Sequence, residues 1–261
     1  SFSRVFRAIL PASNIYISEV KEGKYQKSNL ITSKVNSIEG SEQVVGLKAD
    51  GKKAIVYVEN YSEGGELFEC SINDKTFMPL EKLDKNINSK YSEIAACINE
   101  DETKLFFASD RPDGYGGVDI YLCQELPNGK WSSPLNLGPT INSEFDEDFP
   151  NISPDGKTLY FSSKGHTSMG GYDIFTSKWD DKKKKFSGVK NLGYPINTPE
   201  DNMNFRISES GRHGYMSSVR KGGFGDRDIY RVQFNSIETR YTVITGNIKT
   251  QNGSDNIEDV Y

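Results

Sequence analysis

One tripeptide pattern returns along the chain at an almost fixed interval, and few folds accommodate that. Asp119-Ile120-Tyr121, Asp173-Ile174-Phe175 and Asp228-Ile229-Tyr230 are strong copies, and Asn14-Ile15-Tyr16 and Glu66-Leu67-Phe68 are weaker ones. The copies start at positions 14, 66, 119, 173 and 228, so the steps are 52, 53, 54 and 55. Other marks keep the period. Ser109-Asp110-Arg111, Ser162-Ser163-Lys164 and Ser217-Ser218-Val219 lie upstream of the strong copies, and Ile87-Asn88, Ile141-Asn142 and Ile196-Asn197 lie downstream of copies. A period near fifty with several strand signals per unit indicates a β-propeller or a β-solenoid, and four separate strands per unit favour a propeller.

The clearest unit runs from Glu147 to Thr176. It predicts an inner strand at 148–153, a second at 158–163 and a third at 172–177, and an outer strand at 185–192 completes the blade. Pro154-Asp155-Gly156 turns the first pair, and each strand is rich in aromatic or β-branched residues between turn formers. The fold expected is all-β: a five-bladed propeller of four-stranded blades over residues 1–238. The blades fall near 1–34, 41–83, 91–137, 145–192 and 201–234. The first lacks an inner strand, with residues 4–10, 14–20 and 25–31 as its second, third and outer strands. Residues 239–261 begin with the strand-like Tyr241–Lys249 and read as the cut-off start of a small β-domain. The start at Ser1, without Met or a signal peptide, marks the chain as a processed or excised piece.

Composition narrows the function. Net charge is −5, with no basic excess for a phosphate backbone, so nucleic acid is not an expected partner. No run nears the roughly 18 apolar residues of a membrane span. Cys70, Cys97 and Cys123 lie in predicted strands, in no metal-ligand spacing. They read as small core residues, with a Cys70–Cys123 disulfide left open. Lys182–Lys185 reads as a solvated hairpin tip.

In a propeller, the loops between second and third strands share a face with the loops between blades. The first kind carries Arg111, Tyr115, Lys164, Arg220, Lys221, Phe224 and Arg227, and these form the expected partner-binding face. The second kind carries Glu144, Asp146, Glu147, Asp148, Glu200 and Asp201. Cross-blade pairing of these charges is the competing reading, with little stabilisation per exposed pair. Asp119, Asp173 and Asp228 recur in every strong unit, so a turn-fixing role is expected of them rather than catalysis, which needs a unique group. His166 and His213, the only histidines, sit in no nucleophile or metal motif. Many carboxylates are present and nothing selects a glycosidase pair.

The segment Ile152–Ser163, followed by Gly171-Tyr172-Asp173-Ile174-Phe175, closely resembles the WD40-like Pro-Asp repeat shared with TolB-like periplasmic propellers. Asn191-Leu192-Gly193 and Pro195-Ile196-Asn197-Thr198 resemble the longer form found beside OmpA-like peptidoglycan-binding domains. Ile244–Lys249 is similar to the first strand of a carboxypeptidase-regulatory-like domain. That order of domains resembles the PorE-type periplasmic subunit of the type IX secretion system. The second unit departs from the repeat at Ala49-Asp50-Gly51 and Glu66, and the fifth at Glu209-Ser210-Gly211. The resemblance implies a non-catalytic periplasmic scaffold, associated with the outer membrane and needing no cofactor. It would bind other envelope or secretion-complex proteins, and peptidoglycan through a neighbouring domain outside this chain. A carbohydrate- or peptidoglycan-binding propeller using Tyr115, Tyr172 and Phe224, or a glycosidase with channel carboxylates, are the alternatives.

Overall fold

The computed structural model describes residues 14–22, 24–31, 35–36, 40–60, 64–73, 76–224 and 226–235. The strand expected at 4–10 and the β-domain expected at 239–261 lie outside them. The described residues form a propeller-like ring of antiparallel sheets, one for each of the second to fifth repeats. The second repeat holds β5 (Gly40–Leu47), β6 (Lys53–Asn60) and β7 (Gly64–Asn73), with β8 (Thr76–Phe77) and β9 (Glu81–Lys82) both paired to β7. The third holds β10 (Glu93–Ile98), β11 (Lys104–Ser109), β12 (Asp119–Gln124) and β13 (Leu135–Asn136). The fourth holds β14 (Glu147–Ile152), β15 (Thr158–Ser163), β16 (Asp173–Asp180) and β17 (Lys185–Asn191). The fifth is three-stranded, with β18 (Asn202–Ile207), β19 (His213–Ser218) and β20 (Asp228–Gln233).

The first repeat is two short ladders. β1 (Tyr16–Ile17) pairs with β4 (Asn29–Leu30), and β2 (Val20–Lys21) pairs with β3 (Lys24–Tyr25). The two longer strands expected at 14–20 and 25–31 are thus a hairpin whose strands are interrupted at 18–19 and 26–28, where the Gln26 amide still bonds Glu19 O at 2.7 Å. The ladder reaches the fifth repeat through Tyr25 Oη and Tyr215 Oη, 3.4 Å apart.

The core lies between sheets rather than within any one of them. Val45, Ile55 and Leu67 of the second repeat pack with Ala95, Leu105 and Phe107 of the third. Phe106, Ile120 and Leu122 of the third meet Ile152, Phe161 and Phe175 of the fourth. Ile174 and Tyr160 of the fourth meet Phe205, Ile207 and Met216 of the fifth. Strands with both faces buried this way read as continuous apolar runs, as Leu105-Phe106-Phe107-Ala108 does, all at 2% exposure or less.

Every inner strand carries a register irregularity, at Val44/Gly46, Glu93/Ala95, Asp148/Asn151 and Met203/Arg206. A bulge adds local twist, which bends an innermost strand into the hub. At the first of these, Gly46 allows close approach to the third repeat, since a Cβ there would lie 2.1 Å from Ala96 O. Gly46→Ala is therefore expected to cost about 2–3 kcal/mol, as overpacking against backbone does. Thermal denaturation checks this, and an unchanged midpoint would show that the two inner strands can part freely.

Candidate functional site: the loop rim

Three repeated brackets build one face of the ring. The first uses the marker aspartates. Asp119 accepts the Tyr115 and Gly116 amides at 2.6 and 3.0 Å, and Asn136 Nδ2 at 2.7 Å. Asp173 accepts the Met169 amide at 2.6 Å and Asn191 Nδ2 at 2.9 Å. Asp228 accepts the Phe224 amide at 2.8 Å. A carboxylate taking backbone N–H groups four residues upstream fixes the loop that precedes its strand.

The second bracket uses the repeated asparagines. Asn88 accepts the Leu67 amide at 2.8 Å and donates to Leu67 O at 2.8 Å and Leu83 O at 3.1 Å. Asn142 does the same at Ile120, 2.8 and 3.0 Å, and Asn197 at Ile174, both at 2.8 Å. Asn36 does it at Ile15, 2.8 and 3.0 Å. The side-chain amide copies a neighbouring strand at the place where the outer strand has left the sheet, and so leaves the marker residue's backbone paired. The sequence shows the spacing of these residues but not this role.

The third bracket turns a loop cation inward. Arg111 donates to Ile87 O at 3.1 Å and to Glu93 Oε1 at 2.9 Å, with its guanidinium 4.7 Å from the Phe107 ring centre and 5.0 Å from that of Tyr121. Arg220 donates to Ile196 O at 2.5 Å and lies 5.0 Å from the Tyr230 ring centre. In the fourth repeat the equivalent group is His166, whose Nε2 lies 2.9 Å from Ile141 O, beside the Phe161 and Phe175 rings. The carbonyl acceptor requires Nε2 to carry the proton. Lys164 lies elsewhere, exposed, 2.7 Å from Asp146 Oδ2 and 4.6 Å from the Tyr172 ring centre.

The candidate face residues therefore divide. Arg111 and Arg220 brace adjacent repeats. Lys164 is tied to Asp146, whereas Lys221 is exposed, as is Arg227, with its Nη1 3.9 Å from Met203 Sδ. Tyr115 and Phe224 stand out at 51% and 102% exposure. Tyr115 and Phe224 share a place with a residue the aromatic pattern did not select. Met169, 46% exposed, donates its amide to Asp173 as they do to their aspartates. Counting four residues back from each marker finds all three. Phe145, 50% exposed, stands between the loops of the third and fourth repeats: a Cβ on Gly116 would meet its carbonyl and one on Gly165 its ring.

The carboxylates near this face are held. Glu147 accepts Ser143 Oγ and Ser163 Oγ, at 2.6 and 2.7 Å, and burial raises its pKa. Glu93 takes Ser89, Ser109 and Arg111. Tyr172 is pushed up by burial and by the carboxylates of Asp148, Asp146, Asp201 and Glu147. The three cysteines are free and buried, and burial raises Cys97 and Cys123 to about 12. Among the described residues no group of His, Cys, Asp and Glu is placed to hold a metal ion, and no helix is long and apolar enough to cross a membrane.

Among solved structures, the chain is similar to TolB from Acinetobacter baumannii (16% identity, covering 76% of this chain and 42% of that one, TM-score 0.47). It is similar to a putative TolB from Agrobacterium tumefaciens (19%, 79% and 62%, TM-score 0.47) and to α-L-arabinofuranosidase from Lactobacillus brevis (9%, 76% and 72%, TM-score 0.42). The chain spans less than two thirds of the length of either TolB. No protein-family model matches it, and neither does any curated protein.

Proposed function

We propose that this chain is a non-catalytic protein-interaction scaffold of the bacterial periplasm, whose loop rim docks a folded partner protein. The observation that carries this is the trio Tyr115, Met169 and Phe224. These are large apolar side chains exposed at one equivalent place in three successive repeats, each with its backbone held by a marker aspartate. Apolar anchors already fixed before binding lose little entropy when they are covered. Met169 favours protein over sugar, because a thioether adapts to side chains but offers no ring face for stacking. The Ser and Arg partners of Glu93, and the Ser partners of Glu147, support the non-catalytic reading.

The first-repeat ladder is, in this reading, the third and outer strands of the first of five blades. Its Asn36 bracket matches those of the other repeats, which supports the assignment. Residues 239–261 would open the small β-domain, and the resemblance of the repeats supports a place in an outer-membrane-associated, type IX-like secretion complex. The experiment is affinity capture of envelope proteins on the full chain, beside a Tyr115→Ser, Met169→Ser, Phe224→Ser variant with an unchanged melting curve. Anchors of this kind are worth about 1–2 kcal/mol each, so the triple variant should lose one defined set of proteins, with affinity down at least about a hundredfold. Equal capture by both chains would remove the rim from the binding site. Retention of the wild type on isolated peptidoglycan, lost in the variant, would favour the sugar-binding reading.

A further inference from the structure

The hub of the ring holds a half-buried cation with no carboxylate in ion-pair contact among the described residues. Arg206, on the inner strand of the fifth repeat, donates from Nη1 to Pro150 O at 2.7 Å, from Nη2 to Val45 O, and from Nε to Asn204 Oδ1 at 2.8 Å. One side chain thus joins the inner strands of the second, fourth and fifth repeats, across the sector in which the first repeat contributes only its ladders. A carboxylate is buried nearby. Asp148, 3% exposed, accepts the amide of Phe149 at 2.6 Å and has no ion-pair partner among the described residues. Both inner strands are bulged here, with left-handed backbone at Phe149 (φ 49°) and Asn204 (φ 55°). Such residues are held against their own preference by their surroundings, and such sites often hold alternative local arrangements.

We propose that Asp148 and Arg206 form a proton-gated clasp at the hub. With Asp148 neutral, Arg206 grips the carbonyls of Val45 and Pro150 and locks the second repeat to the fifth. With Asp148 ionised, the new charge draws the guanidinium off Val45 and loosens that junction. Ionising a carboxyl in so dry a place without a contacting cation is unfavourable, and the nearest way to relieve it is to move the cation that is already there.

The electrostatics agree with the geometry. Burial pushes Asp148 up to about 7, against the Phe149 amide, Arg206 and Lys164, which favour the charged form, and with Asp146, which opposes it. Burial pulls Arg206 down to about 10, still charged at neutral pH, with Cys97 and Asp148 acting against that shift. Tyr172 is the other titratable group that feels Asp148. A carboxyl whose folded-state pKa is raised contributes stability at low pH and loses it as pH rises from about 4 through about 7.

Hydrogen exchange on the full chain tests the clasp. Between about pH 5.5 and about pH 8.5, after correction for intrinsic rates, amides of Gly40–Leu47 should lose about tenfold in protection. In Asp148→Asn, protection should be high and equal at both values. Arg206→Lys, which keeps the charge but not the fork, should be weakly protected at both. Should Asp148→Asn fail to fold, the Nε resonance of Arg206 in the wild-type chain serves instead, and it should move with a midpoint near 7. A pH effect that persists in Asp148→Asn, equal wild-type protection at both values, or an Arg206 resonance that does not titrate would each overturn the proposal.

Discussion

Asn142→Ala is expected to lower the stability of the chain by about 2–3 kcal/mol, the upper end of the usual single-residue range. The side chain is 1% exposed and makes three hydrogen bonds, to the amide and carbonyl of Ile120 and to Asn136 Oδ1. Alanine removes all three partners; the Ile120 carbonyl keeps the Leu137 amide at 3.1 Å, but the buried Ile120 N–H is left with nothing to bond. An orphaned buried backbone group costs about 1–3 kcal/mol, which outweighs the modest net worth of the bonds themselves. Asn142→Asp should cost nearly as much, since a carboxylate can take the Ile120 amide but repels its carbonyl. Chemical denaturation checks both. A loss below about 1 kcal/mol would mean that water enters and replaces the bracket.

The second large effect concerns Arg111. Replacing it with methionine keeps much of the packing on Phe107 and Tyr121 but strands the Glu93 carboxylate, whose side chain is 1% exposed. Breaking one side of a buried pair costs about 3–5 kcal/mol. Replacing both, as in Arg111→Met with Glu93→Gln, should recover much of that loss, because no charge then stays buried alone. If the double variant is no more stable than the single one, Ser89 and Ser109 suffice to hold Glu93, and the arginine matters only through its rings. Either way, charge reversal at Arg111 or Arg220 tests the fold before it tests any partner. Binding at this face is better probed at Tyr115, Met169 and Phe224, whose side chains are exposed.

The plan of the ring was legible in the sequence because the chain repeats. The fourth unit predicts second and outer strands at 158–163 and 185–192, and the structure has Thr158–Ser163 and Lys185–Asn191. What periodicity cannot carry is direction. Arg111 and Lys221 read alike as loop cations. One is pulled inward by two rings and a carboxylate supplied by other strands, and the other is left in water. Met169 escapes a search for aromatics, although its backbone does what those of Tyr115 and Phe224 do. His166 hides its equivalence to Arg111 because it stands seven residues before its marker rather than eight. Arg206 reads as one more polar residue on an alternating strand. Its position at the hub follows from how three sheets converge, which no local pattern records.

The asparagine brackets bear on how such a chain can change its length. Each ties its linker to a marker 21, 21, 22 or 23 residues earlier in successive repeats. The residues between marker and bracket form a closed loop whose ends are pinned, so extra residues there bulge outward without shifting the next sheet. The slow growth of the period from 52 to 55 shows the chain absorbing added residues without losing its frame. The hairpin between Asp180 and Lys185, farthest from the hub, is accordingly the place where a tag, a fluorophore or a whole inserted domain can be carried with the ring unaware of its cargo.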